Sequence, residues 1–188
     1  MKSFYIENNI ELGIDEAGRG CLLGPVCIGS VIMGDIKINP PPYEIKDSKK
    51  CSPKIRKILR EYIEENAIAF NVQFIYEKEI DELNILQATM EGMHKCIDEI
   101  TKQVSIDRIL VDGTYFNTYL DSEMEPIEHV CVPQGDNYYL NIAAASILAK
   151  EYHDEYILQL VEEKHIDFIK SNGLTEFHRK SFLKKYIS

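Results

Sequence analysis

The sequence contains no apolar run approaching the roughly 18 residues that span a bilayer, and it opens on MKSFYIENN, too polar for a secretory leader. These absences exclude a helical membrane anchor and lead us to expect a soluble, intracellular, cytoplasmic protein with no membrane partner. Cysteine is scarce: Cys21, Cys27, Cys51, Cys96 and Cys131 are odd in number, widely spaced and never arranged as C-x-x-C. A disulfide framework and a thiolate zinc site both need paired spacings that are missing, so the cysteines are expected to be small buried apolar residues. Internal repeats, low-complexity segments and flexible linkers are absent too. At 188 residues and 45% hydrophobic composition, the chain can build one sizeable core and is short for two. We expect a single domain over residues 1–188, monomeric, with a helical C-terminal part from about residue 151.

Positive charge is also in short supply. A formal net charge of −10 sits badly with a polyanionic partner, because nucleic-acid binders usually carry a basic footprint. The distribution says more than the sum. KDSKKCSPKIRKILR (46–60) holds seven Lys or Arg against one acid, and LTEFHRKSFLKKYIS (174–188) holds Arg179, Lys180, Lys184 and Lys185 against Glu176. Charge patterning alone reads both as solvated helix faces; their clustering also allows two local basic patches.

What is present reads as strands and helices in alternation. IELGIDEAG looks like a strand ending at its glycine, and GPVCIGSVIMG (24–34) like a second, buried one. Pro40-Pro41-Pro42 marks a loop. Ser52-Pro53 starts a helix, with a hydroxyl at the N-cap and proline at the first helical position; Ile55, Ile58, Leu59, Tyr62 and Ile63 then recur at helical spacing to about residue 65. AIAFNVQFIY (67–76) is a third strand. A helix from about Asn84 has an inner stripe of Ile85, Thr89, Met93, Cys96 and Ile100. DRILVDG (107–113) and EHVCV (128–132) are two more strands, AAASILAK belongs to a helix from Asn137 to about Glu163, and FHRKSFLKKY suggests a last helix. This order predicts an α/β domain with a mixed sheet.

GIDEAGRGCLLGP (13–25) places Asp15 and Glu16 side by side, just ahead of Gly18-Arg19-Gly20. Adjacent strand residues point to opposite faces, so the two acids converge only where the strand ends and the chain turns, which the glycines favour. Asp112 closes a separate apolar strand. Asp136 precedes the Ala-rich helix, where a carboxylate would cap the N-terminus and be stabilised by the helix dipole. Taken singly, each acid has an ordinary explanation: Asp112 as a turn residue, Asp136 as an N-cap, Asp15 and Glu16 as a solvated loop. Together they are four oxygen donors at element ends without a nearby Cys or His ligand, a set that suits Mg²⁺ or Mn²⁺ better than zinc. Two such ions would serve phosphodiester hydrolysis. Gly18 and Gly20 let the backbone approach a ligand closely, and Arg19 offers a fork of donors to a phosphate. A sugar hydroxyl read by backbone groups is one way to tell RNA from DNA, although G-R-G is equally compatible with a plain turn. His94, His129 and His153 read as structural or surface groups.

These pieces resemble the type 2 ribonuclease H family (ribonuclease HII). The similarity lies in GIDEAGRGCLLGPV (13–26), KDSKKCSPK (46–54), EIDELNILQATM (79–90), LVDG (110–113), GDNYYLNIAAASILAK (135–150) and HRKSF (178–182), in the family's order over nearly the whole chain. The resemblance implies a ribonuclease H-like fold, a five-stranded mixed sheet flanked by helices with a helical C-terminal part. It implies an endonuclease that cuts the RNA strand of RNA–DNA hybrids, and duplex DNA on the 5′ side of a single embedded ribonucleotide, leaving 3′-hydroxyl and 5′-phosphate ends. By the same resemblance Asp15, Glu16, Asp112 and Asp136 are the catalytic acids and hold two divalent ions, Mg²⁺ or Mn²⁺. Gly18, Arg19 and Gly20 read the sugar, and Ser48, Lys49 and Lys50 meet the phosphate backbone. Such an enzyme would serve ribonucleotide removal in DNA replication and repair.

Two departures stand against this pattern. Gln134 occupies a position that is often lysine in relatives. More seriously, Leu160, Val161 and Glu162 stand where a Tyr-Gly-Thr or Tyr-Pro-Thr motif is expected, and the chain between Asp154 and His165 is short. Either the tyrosine that stacks on the sugar at the RNA–DNA junction is lost, or a surface loop before His165 is missing from the sequence, and the second alternative is favoured. A peptide continuous from Asp154 to His165, with Cα steps of about 3.8 Å, would exclude the second. Two other function classes fit less well: a non-catalytic or altered-specificity hybrid-binding protein on this fold, and an integrase-like nuclease or transferase. The type 3 ribonucleases H carry an extra N-terminal substrate-binding domain, for which the first strand, beginning near residue 10, leaves no room.

Overall fold

The computed structural model describes residues 1–21 and 24–172. Five strands, β1 (Glu11–Ala17), β2 (Val26–Met33), β3 (Ala67–Ile75), β4 (Arg108–Asp112) and β5 (Glu128–Val132), form one sheet in the order β3-β2-β1-β4-β5. β1, β2 and β3 run antiparallel in sequence, whereas β4 and β5 lie parallel to β1. The sheet is therefore mixed, as expected, and β1, β4 and β5 all end on the same edge.

Helices cover both faces. On one, α3 (Ile85–Thr101) buries Ala88, Thr89, Met90, Met93, Cys96, Ile97 and Ile100 against Leu12, Ile14, Ile28 and Val111 of the sheet. On the other, α1 (Pro53–Asn66) and α4 (Leu140–Asn172) bury Leu59 and Ile63 with Ala143, Ala144, Ile147 and Leu148 against Val31 and Met33. α1 starts as read, Ser52 capping it through the Ile55 N–H at 3.4 Å. A short helix, α2 (Glu77–Leu83), was not expected: it buries no residue and so has no apolar stripe to betray it.

α4 crosses β1 and β2 at close range. A Cβ on Gly13 would lie 2.2 Å from the Asn141 carbonyl carbon, and one on Gly29 would lie 2.3 Å from the Ala145 oxygen. The Ala-rich run supplies the matching narrow helix face. Asn141 adds specificity, its amide donating to the Glu11 carbonyl at 2.5 Å and accepting from the Met33 N–H at 3.1 Å.

Several expectations are corrected. α4 begins at Leu140 rather than Asn137 and continues to Asn172, beyond the Glu163 read for it. The backbone passes from Asp154 to His165 within that helix, and Leu160 to Glu162 supply no tyrosine. Cys27, Cys51 and Cys96 are buried, but Cys131 is half-buried and Cys21 is exposed. The last helix read at FHRKSFLKKY lies outside the described residues, as does the second basic patch. No helix among the described residues is long and apolar enough to cross a membrane.

Replacing Gly13 or Gly29 with alanine should push α4 off the sheet and lower stability in urea unfolding by about 3 kcal/mol, the upper range for overpacking. Gly20→Ala, where an added Cβ meets nothing within 4 Å, should stay within about 0.5 kcal/mol of the parent.

Candidate active site

The parallel pairing of β1 and β4 brings the first two acids together. Ile14 pairs with Val111, so one residue further Asp15 and Asp112 sit side by side on strands about 4.8 Å apart. Both share the face of Gly13 and Leu110, which α4 covers through Asn141 and Ile142. β5 ends level with Asp112, which pairs with Val132, and the chain then turns back. Asp112 Oδ1 accepts the Gly135 N–H at 2.6 Å. Asp112 thereby shapes the 3-10 turn Gly135–Asn137 that presents Asp136. Gln134, at the departure noted above, enters this turn in the left-handed conformation, φ 57°. Asp136 is thus not the N-cap expected of it: it lies one turn before α4, and its Oδ1 accepts from Asn137 Nδ2 at 2.9 Å.

Glu16, next along β1, has the opposite parity and reaches the site's rim, where its Oε1 meets Arg19 Nη1 at 3.1 Å. Beyond it the chain turns sharply, the Cys21 N–H donating to the Gly18 carbonyl at 3.0 Å. Gly18 has φ +95°, and a Cβ there would lie 2.6 Å from the Pro25 oxygen and 2.7 Å from His153 Cδ2. His153 is therefore structural as read, but it is the floor of the Gly18-Arg19-Gly20 turn. Its Nδ1 faces Asp154 Oδ1 at 3.4 Å, and its buried Nε2 has no hydrogen-bond partner among the described residues.

The third component arrives from the 3-10 turn Ser48–Lys50, capped by Asp47, whose Oδ1 accepts the Lys49 N–H at 2.9 Å. Lys49 is exposed and close enough for its charge to act on Glu16, Asp112 and Asp136. Lys50 Nζ donates to Asn137 Oδ1. Buried Arg56 anchors the turn, donating to the Ser48 and Cys51 carbonyls at 3.3 and 3.1 Å and pairing with Glu151 at 2.7 Å and Asp154 at 3.3 Å. Arg60 stacks on Tyr152 with its guanidinium carbon 3.8 Å from the ring centre. Two members of the 46–60 basic run are thus internal clamps rather than solvated charge. Asp47 and Ser146 also belong to the site and were missed: Asp47 because DSKK reads as a lysine motif, Ser146 because it sits inside a small-residue helix face.

All four acids hold their protons more tightly than usual, and burial is the first cause in each. Asp15 is raised well above the ordinary range, next by Asp112 and Glu16, against a hydrogen bond from Ser146. Glu16 and Asp112 are raised, opposed by Arg19 and by the Gly135 N–H respectively. Asp136 is pushed up to about 6, next by Asp112 and by contact with Asp47. Buried like charges of this kind call for a counter-cation. An all-oxygen donor set fits a hard divalent one, to be held by Asp15, Glu16, Asp112 and Asp136. Among the described residues no three carboxylate, imidazole or thiol groups already share a coordination shell.

A carboxyl whose proton affinity is raised by folding contributes stability below its unfolded pKa near 3.8 and loses it as pH climbs through about 6. In EDTA, Asp136→Asn should therefore melt with the parent at pH 4 and a few degrees above it at pH 7, the shift that about 1 kcal/mol gives at this size. Equal melting temperatures at both pH values would remove the electrostatic strain.

A sequence model of ribonuclease HII matches residues 12–188. The chain is similar to the ribonuclease HII of Cytophaga hutchinsonii, 40% identical over 200 residues, covering 97% of this chain and 93% of that one. It is also similar to that of Bacteroides thetaiotaomicron, 41% identical over 191 residues, covering 92% and 89%. Among solved structures, the Archaeoglobus fulgidus ribonuclease HII, determined in complex with PCNA, superposes with a TM-score of 0.63 at 28% identity, covering 82% of this chain and 77% of that one. With the sheet order and these relatives in agreement, the chain belongs to the ribonuclease HII family of endoribonucleases.

Proposed function

We propose that this protein hydrolyses the RNA strand of RNA–DNA hybrids and cuts duplex DNA 5′ of a single embedded ribonucleotide, with two divalent ions, Mg²⁺ or Mn²⁺, leaving 3′-hydroxyl and 5′-phosphate ends. The observation that carries the reading is the adjacency of Asp15 and Asp112 on parallel strands, with Asp136 tied to Asp112 through the Gly135 N–H at 2.6 Å. Ions held by the four acids would supply the charge that draws a proton from an attacking water and stabilises the leaving 3′ oxygen. Asp15 and Asp112, fixed on the rigid sheet, set the site's position; Asp136 and Glu16 close it from a turn and a strand end. Arg19 and the glycines beside it face the sugar, and exposed Lys49 and Lys50 face the phosphates. Acting on such substrates as a monomer in the cytoplasm, the enzyme would remove ribonucleotides during replication and repair.

The absence of tyrosine at Leu160 to Glu162 favours a second reading for substrate choice alone: long hybrids are cut and junctions of a single ribonucleotide are read poorly. Cleavage of a duplex carrying one ribonucleotide, beside a long hybrid and an all-DNA control, separates the two. Cutting 5′ of the single ribonucleotide supports the full proposal; cutting of the hybrid alone supports altered specificity; cutting of neither leaves a binding protein.

Asp15→Asn and Asp112→Asn should each reduce cleavage by more than the roughly 10- to 100-fold expected for losing an outer-shell partner, with the fold retained by circular dichroism. Parent-like rates in either would sink the acid assignment. Lys49→Ala and Lys50→Ala should weaken hybrid binding and lower the slope of log affinity against log salt by about 1 each; an unchanged slope would mean that those lysines face only solvent.

A further inference from the structure

A pocket of about 450 Å³ adjoins the acids and is lined by Met1, Lys2, Val132, Asn137, Tyr138 and Tyr139. Val132 pairs with Asp112 at the end of β5. Asn137 donates to Asp136 through Nδ2 and accepts from Lys50 Nζ at Oδ1. The pocket therefore begins where the site of the four acids stops. In a chain with 31 Asp and Glu against 21 Lys and Arg, none of its six lining residues is acidic. Their side chains include an ammonium, an amide and two phenols, donors of the kind that proteins place against phosphate and sugar oxygens.

The lining is held in place by the main chain. Lys2 pairs with Tyr139 as an isolated parallel bridge, its N–H donating to the Tyr138 carbonyl at 2.8 Å and its carbonyl accepting from the Leu140 N–H at 2.9 Å. Between Lys2 and β1 the chain is folded back by Glu11, which is 2% exposed and accepts the Tyr5 and Ile6 N–H groups at 2.6 and 2.8 Å. Tyr5 packs on Tyr139, with ring centres 5.8 Å apart. Lys2 is thus fixed by its backbone while the residue stays exposed, its Nζ 5.8 Å from the centre of the Tyr139 ring. Tyr138 follows directly on the turn that presents Asp136 and is 54% exposed, so its side chain is largely open to a ligand.

We propose that Lys2 and Tyr138 form a subsite for the sugar–phosphate backbone of the hybrid beyond the scissile bond, reached across Asn137 from Lys50. The proposal rests on the hybrid-cleaving reading above. A duplex is longer than one active site, so a strand whose scissile phosphate lies at the acids continues in one direction over Asn137, where the Lys2 ammonium and the Tyr138 hydroxyl meet its next phosphates. Because these contacts go to the backbone, the subsite is indifferent to base sequence.

The test measures kcat and KM on a long hybrid and on hybrids shortened stepwise from either end, at several salt concentrations. Tyr138→Phe removes one donor and Lys2→Met one charge, and neither touches the backbone bonds. Each should raise KM severalfold on the long hybrid, and Lys2→Met should lower the slope of log(kcat/KM) against log salt by about 1. Shortening from one end, and not from the other, should bring variant and parent together, because the substrate then no longer reaches the pocket. Melting temperature and Mn²⁺ affinity, the latter by calorimetry without nucleic acid, should match the parent, which a loosened Asp136 turn would not allow. Parent-like KM in either variant would overturn the subsite, and so would a rise in KM that persists at every length or comes with weaker Mn²⁺ binding. Should Tyr138→Phe fail to fold, Lys2→Met decides on the same readings. A parent protein that cleaves no hybrid defeats the functional reading itself, an outcome distinct from a working parent with indifferent variants.

Discussion

Everything at the site depends on how closely α4 lies against β1 and β2. Gly13 and Gly29 have no room for even a methyl group above them, because the backbone of Asn141 and the carbonyl of Ala145 occupy that space. The fit fixes the distance between helix and sheet. From that one contact α4 delivers Asn141 to the Glu11 carbonyl, Ser146 to Ser48 and His153 to the turn at Gly18. A wider spacing would bury more side chain and place none of these groups within reach.

The second constraint is electrostatic. Four carboxylates share a half-buried edge, and burial raises the proton affinity of each. Such an arrangement opposes folding in the ionised state, so the surrounding structure must hold it in place. Backbone N–H groups at Asp112 and the charge of Lys49 offset part of the cost. The buried Arg56, with Glu151 and Asp154, locks α1 and the lysine turn onto α4. By holding that turn, the cluster keeps the charge of Lys49 near the acids in a chain whose net charge is −10.

Local chemistry was legible wherever a residue's role is decided by its neighbours in sequence. The strand with Asp15, the Ser52 cap of α1, the apolar stripe of α3 and the glycine turn after Glu16 could all be read, since each depends on spacing or on a missing Cβ. α2 could not, because a helix that buries nothing has no periodicity to find. Asp136 was given the wrong local role: proximity to the Ala-rich helix suggested a cap, while the bond from Gly135 to Asp112 holds it in a separate turn.

The sequence by itself determined the residue types, their order along the chain and their family likeness, which follow from local pattern and motif. Only the tertiary structure decided that Asp15 and Asp112 share one face, that Asp47 joins them and that the hydroxyls of Ser48 and Ser146 meet. Those are matters of strand register and of the distance between a helix and a sheet. Both are set by packing between segments far apart in the chain, and no window of neighbouring residues encodes them.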